Sequence, residues 1–124
     1  MPLTRPNNSV ELPGFSEGAF MHKREGWYFL LYGYQMPEKV AYVRSRSVDG
    51  PWEFMGVIVD TVENCETNSP AIVDYKGNSY FIYHNGALTD GSSHRRSVCI
   101  DKIYFKEDGT ISKVYQTREG VAVL

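Results

Sequence analysis

The chain has 124 residues, and 13 Lys plus Arg against 15 Asp plus Glu leave a formal net charge of -2. That balance lacks the basic excess of a nucleic-acid binder, and 42% hydrophobic with 23% charged residues excludes a disordered chain. No run approaches the ~20 apolar residues of a helical membrane span, and the stretch Trp27 to Tyr34 is interrupted by Gly33.

Met1 to Leu12 carries Arg5, Pro6, Asn7 and Asn8 where a signal peptide would have an apolar stretch. A soluble protein of unassigned compartment is therefore expected. Helical periodicity is absent downstream, and short β-prone runs alternate with turn signals instead. Ala19 to Arg24 reads as a strand, Glu25-Gly26 as a tight turn, and Trp27 to Tyr34 as a strongly aromatic strand. After Met36-Pro37-Glu38, the run Val40 to Ser47 alternates Val40 and Tyr42 with Arg44 and Arg46, which suits a half-exposed strand. Asp49-Gly50-Pro51 turns the chain into Trp52 to Val59.

The same order then returns. Ala71 to Tyr75 is a strand, Lys76-Gly77-Asn78 a turn and Ser79 to His84 an aromatic strand. A Gly- and Ser-rich loop, Asn85 to Ser93, leads to a strand over Ser97 to Phe105. Glu107-Asp108-Gly109 turns into a last strand, Thr110 to Gln116. An offset of 52 (71 against 19) places Ala19 on Ala71, Tyr28 on Tyr80 and Phe29 on Phe81. A four-stranded unit recurring every ~40–50 residues is the pattern of β-propeller blades. The expected fold is all-β: one partial-propeller domain over residues 1–124, with two four-stranded antiparallel blades at 15–60 and 67–118.

Propellers ordinarily hold about 4–8 blades, each burying its faces against its neighbours. Two blades leave apolar faces and strand edges open. The chain is then part of a larger propeller whose upstream half lies elsewhere, or a protomer that completes its core as a homo-oligomer. A small sandwich or barrel of eight strands is the third arrangement. Cys65 and Cys99 stand alone in sequence, without a disulfide framework or zinc-ligand spacing, and read as free thiols, with a single bridge between them left open.

The segment Phe15-Ser16-Glu17-Gly18-Ala19-Phe20-Met21-His22-Lys23-Arg24-Glu25-Gly26-Trp27-Tyr28-Phe29-Leu30 resembles the general-acid blade of glycoside hydrolase family 43. These are the five-bladed propellers of arabinofuranosidases, xylosidases and arabinanases. Ser45-Arg46-Ser47-Val48-Asp49-Gly50-Pro51-Trp52 is similar to that family's blade end. Thr67-Asn68-Ser69-Pro70-Ala71-Ile72-Val73-Asp74-Tyr75-Lys76-Gly77 and Tyr80-Phe81-Ile82-Tyr83-His84-Asn85-Gly86 are similar to its final blade. Arg95-Arg96-Ser97-Val98-Cys99 and Glu119-Gly120-Val121 continue the match. The resemblance implies the last two blades of a glycosidase acting on arabinose- or xylose-containing polysaccharides. It also implies that the catalytic base and the aspartate that orients the acid belong to earlier blades.

Inverting glycoside hydrolysis sets two carboxyl groups ~6.5–9.5 Å apart, one protonating the leaving oxygen and the other activating water. By resemblance Glu17 is the general acid, and partial burial at a strand mouth would suit a proton donor. Asp49, Asp60, Glu66 and Asp74 read as turn formers or surface charges, so no base is assigned. Arg96 matches a cleft arginine whose planar fork could bond sugar hydroxyls. His84 is the second candidate for substrate binding, or else a hydrogen-bonded strand end. Ser69 stands where the family commonly has a histidine near its axial metal or water site, and Ala19 where it often has proline. His22 and His94 lack partners at ligand spacing, so no metal and no other cofactor is expected. Trp27 and Trp52 read as packing residues. Without a base, a non-catalytic sugar-binding or structural β module is the alternative to a glycosidase.

Overall fold

The computed structural model describes residues 9–122. Most of the amino-terminal stretch read for a signal peptide, residues 1–8, lies outside the described residues, as do 123–124. Phe15–Arg24 (β1), Trp27–Tyr34 (β2), Lys39–Ser45 (β3) and Glu53–Val59 (β4) form one antiparallel sheet in that order. Ala71–Tyr75 (β5), Asn78–Asn85 (β6) and Ser97–Lys102 (β7) form a second. Both sheets begin with the same two-residue hairpin. Glu25 and Gly26 have φ of 49° and 80°, Lys76 and Gly77 of 50° and 80°. Positive φ at both central positions matches the right-handed twist of the flanking strands, and glycine supplies the second at no steric cost.

The hairpins fix how the two units correspond. Arg24 pairs with Trp27 and Tyr75 with Asn78, a spacing of 51 (75 against 24, 78 against 27) rather than the expected 52. The structural counterpart of Phe29 is therefore Tyr80, not Phe81. This one-residue difference exchanges the faces of a strand. Phe29, Leu31, Val40 and Tyr42 of the first sheet share one core with Ile72, Phe81 and Tyr83 of the second. Equivalent faces do not meet. The front of the first sheet packs on the back of the second, which is how successive propeller blades stack.

The other face of the first sheet carries Tyr32, Ala41, Val43 and Trp52, all buried, with Val10 and Leu12 packed over them. Tyr32 donates its hydroxyl to the Pro13 carbonyl at 2.6 Å, fastening that cover. A sheet covered on both faces is inconsistent with a simple two-layer sandwich. The second sheet is covered on one side only. Val73 and Tyr75 of its outer face are 45% and 44% exposed and line a shallow apolar hollow with Tyr80, Ile82 and Ile100. Two sheets stacked like blades, with the end face open, make a partial propeller and not a closed one.

The expected fourth strand of the second unit, Thr110 to Gln116, does not form. Past the turn at 107–109 the chain makes one bridge, Ile111 with Phe105, held by Lys106 N–H on the Thr110 carbonyl at 2.8 Å and Ser112 N–H on the Tyr104 carbonyl at 2.9 Å. It then leaves the sheet. Val114 donates its N–H to the Ile58 carbonyl at 2.8 Å, and the Gln116 amide donates to the Asp60 and Thr61 carbonyls. Val114 and Ile111 are thereby buried in the core between the sheets. Thr117 is caught by buried Asp101, which accepts its N–H at 3.1 Å, its hydroxyl at 2.6 Å and the Tyr83 hydroxyl at 2.5 Å. Burial of Ile111 and Val114 and capture of Thr117 outweigh continued pairing with β7, so the second sheet has three strands. Cys65 and Cys99 are both free. No helix among the described residues is long and apolar enough to cross a membrane.

His22 lies at the junction of the sheets, 9% exposed and stacked on Phe105, with Nε2 3.6 Å from the Asp74 carboxylate. That is too long for a hydrogen bond, and burial holds the imidazole below the usual histidine range although Asp74 pulls it upward. On acidification the unfolded chain binds this proton first, so stability is full above an unfolded pKa of ~6.5 and declines as pH falls below it. The urea midpoint should drop between pH 7.5 and 5.5, and His22→Phe should reduce that drop. An equal drop in the variant would remove His22 from the account.

Candidate functional site

β1 is not regular at its start. Phe15 pairs with Tyr34 and Ala19 with Tyr32, so Ser16, Glu17 and Gly18 together oppose Gly33 alone. Such a bulge re-aims side chains and is characteristic of strand ends beside sites. It also requires glycine opposite: a Cβ on Gly33 would lie 2.8 Å from the Glu17 carbonyl oxygen. Glu17 is exposed at the mouth of the strand rather than partly buried as expected, because the bulge turns it out of the sheet.

Beneath it sits a residue that the sequence did not single out. Glu38 is 1% exposed, accepting the Ser16 hydroxyl on Oε2 and the Asn68 N–H on Oε1, each at 2.8 Å. A glutamate after Pro37 in a short connection reads as solvated, and nothing local in the sequence signals its burial. Its burial keeps Glu38 away from solvent, so it is not placed to activate a water.

From the second sheet come His84, at the end of β6, and Arg96, just before β7. Thr67 joins them. Its hydroxyl lies 2.8 Å from His84 Nε2, 3.4 Å from the Arg96 guanidinium and 3.3 Å from Cys65 Sγ. The set is satisfied when Thr67 accepts from Arg96 and from the thiol and gives its single proton to a neutral imidazole. His84 is indeed held below the usual range, first by burial and then by Arg96, while the Thr67 backbone and the Glu17 carboxylate act in the opposite sense. Glu17 and Arg96, far apart in sequence, thus both lie within electrostatic reach of His84. Thr67 was the missed hub; it stands at the head of the Thr67-Asn68-Ser69-Pro70 run, but a lone threonine carries no signal of its own.

The remaining candidates lie elsewhere. Asp60 pairs with Lys113 at 2.9 Å, and Asp74 with Ser79 at 2.6 Å and with His22. Trp52 is buried, and Trp27 is covered by the guanidinium groups of Arg44 and Arg46 at 4.0 and 3.7 Å from its ring, so both serve packing. Grooves of about 390 Å³ along Cys99 to Val121 and about 590 Å³ along Asn64 to His94 include none of Glu17, His84 or Arg96. Among the described residues no three His, Cys, Asp or Glu side chains converge as metal ligands, so the side chains do not fit a protein-held ion and no chemistry is routed through one. The site is a shallow junction of two strand ends, with charge on both sides.

The family model for glycosyl hydrolases family 43 matches residues 3–111. The chain belongs to glycosyl hydrolase family 43. Among family 43 relatives, a xylosidase/arabinosidase of Bacteroides ovatus is 30% identical over 97 residues, covering 78% of this chain and 30% of that protein. Xylosidase/arabinosidase 43A of Humicola insolens is 32% identical over 97 residues, covering 78% of this chain and 29% of its own. A family 43 β-xylosidase/α-arabinofuranosidase from a compost microbial metagenome, solved with xylotriose, superposes with a TM-score of 0.77 at 29% identity. That match covers 91% of this chain and 36% of the other. The chain spans about 30% of the length of these two enzyme sequences. Its two sheets are a family 43 partial propeller, not the full five-bladed one.

The opposing influences on His84 can be separated by NMR titration of its imidazole. Arg96→Gln should raise the midpoint by removing a like charge, and Glu17→Gln should lower it by removing an opposite one. Shifts in the reverse directions would contradict the arrangement.

Proposed function

We propose that this chain is the acid-bearing part of a family 43 glycosidase of the xylosidase/arabinofuranosidase type. The observation that carries the reading is that Glu17, turned outward by the β1 bulge, lies within electrostatic reach of His84, which shares Thr67 with Arg96. Glu17 is the proton donor to the leaving glycosidic oxygen. Arg96 binds sugar hydroxyls through its planar fork, and His84, fixed by Thr67, presents its other ring nitrogen to the sugar. A second carboxylate takes the proton of the attacking water as the bond to the leaving oxygen breaks. That base comes from further blades outside this chain, and activity follows only when they are supplied. The shared core supports reading residues 1–124 as one partial-propeller domain, with units at 15–60 and 67–118.

Reconstitution tests this. Adding the base-bearing blades of a family 43 enzyme should give hydrolysis of an aryl arabinofuranoside or xyloside. Glu17→Gln should then reduce the rate by at least ~10²-fold, the ordinary contribution of a general acid. Restored hydrolysis that survives Glu17→Gln would remove the residue from the acid role.

A second reading is favoured by the burial of Glu38, which leaves that carboxylate away from solvent and unavailable as a base. The chain is then a non-catalytic sugar-binding or structural β module. Calorimetric heat with xylose or arabinose oligomers, without hydrolysis on reconstitution, would select it.

The open face formed by Val73, Tyr75, Ile82 and Ile100 supports association, either of two copies or with a polypeptide carrying the missing blades. Light scattering of the chain alone should give a mass above that of one copy. A clean monomer would refute homo-association.

A further inference from the structure

The buried carboxylate of Glu38 links β1 to the loop that precedes β5. Burying a carboxylate is costly unless hydrogen bonds replace its water, and two do so here. The donors are Ser16, next to Glu17 in β1, and the backbone N–H of Asn68, next to Thr67. The Glu38 amide itself donates to the Glu66 carbonyl at 2.7 Å, a second tie to the same loop. Gly33 leaves the space: a Cβ there would lie 3.1 Å from the Glu38 carboxyl carbon and 2.8 Å from the Glu17 carbonyl. The strand bulge, the carboxylate and the 66–68 loop are therefore packed as one unit.

We propose that Glu38 is a positioning residue of this site, its carboxylate clamping the bulge that bears Glu17 to the loop that bears Thr67. The clamp sets the approach of Glu17 to His84 and Arg96. Glu38 touches neither the sugar nor the transferred proton. This role rests on the reading of Glu17 as the acid, but the geometry it predicts exists without any substrate. A carboxylate that served stability alone would have no reason to control the Glu17–His84 distance.

The test is a double-mutant cycle read by NMR titration of His84 in the full chain. Four proteins are compared: the natural chain, Glu17→Gln, Glu38→Gln and the double variant. In the natural background Glu17→Gln should move the His84 midpoint downward. In the Glu38→Gln background the same substitution should move it by less than half as much. Ser16→Ala removes one of the two clamping bonds at a half-buried position, and should reduce the displacement part-way. It decides the question by itself if Glu38→Gln does not fold. A full displacement retained in the clamp variants, even with a lowered melting temperature, would make Glu38 merely structural and overturn the proposal. No displacement in the natural chain would overturn it as well, since Glu17 would then not be held near His84. The acid role stands or falls separately, on loss of hydrolysis by Glu17→Gln after reconstitution.

Discussion

The contact on which everything else depends is the packing of Phe29, Leu31 and Tyr42 on Phe81 and Tyr83. Each such side chain stabilises the fold by about 1.5–3 kcal/mol when fully buried, and these come from both sheets. Because the front of one sheet meets the back of the next, the sheets do not form a self-closing pair. The same rotation that joins them leaves an equivalent apolar face, with Val73 and Tyr75, at the far side. A unit packed this way buries one junction and presents the next.

The junction also creates the site. Strand ends from neighbouring sheets converge where the sheets are wedged together, so Glu17 from β1 reaches the surroundings of His84 and Arg96 without any loop having to span the gap. The bulge and Gly33 turn the glutamate outward, and Glu38 occupies the space behind it. Thr67 then orders the second side. Its hydroxyl has one proton and must accept the others, which fits a neutral imidazole, and burial and the nearby Arg96 charge hold His84 in that form.

Much of this was legible in the chain. Glu25-Gly26 and Lys76-Gly77 announce two hairpins, and both form. Period-two patterning locates six of the seven strand cores closely, and β1 extends back to Phe15 because the bulge carries pairing past Glu17. The family motifs pick out Glu17, His84 and Arg96, and the first and last of these lie within electrostatic reach of His84. What was not legible depends on contacts between distant segments. A one-residue difference in hairpin spacing decides which face of β6 meets β2, and simple matching of Phe29 to Phe81 follows core residues rather than hairpin register. Thr110 to Gln116 has strand-like composition, but Asp101 and the Ile58 carbonyl draw it away from the sheet. Glu38 looks like any turn glutamate until Ser16 and Asn68 close over it.

The most direct test of the central claim is an experimental structure of the reconstituted protein with an unreactive thio-linked xyloside or arabinofuranoside. The account predicts Glu17 within hydrogen-bond distance of the position of the leaving atom, with Arg96 or His84 on the sugar hydroxyls. A sugar bound away from the β1 bulge, with Glu17 facing only solvent, would contradict it.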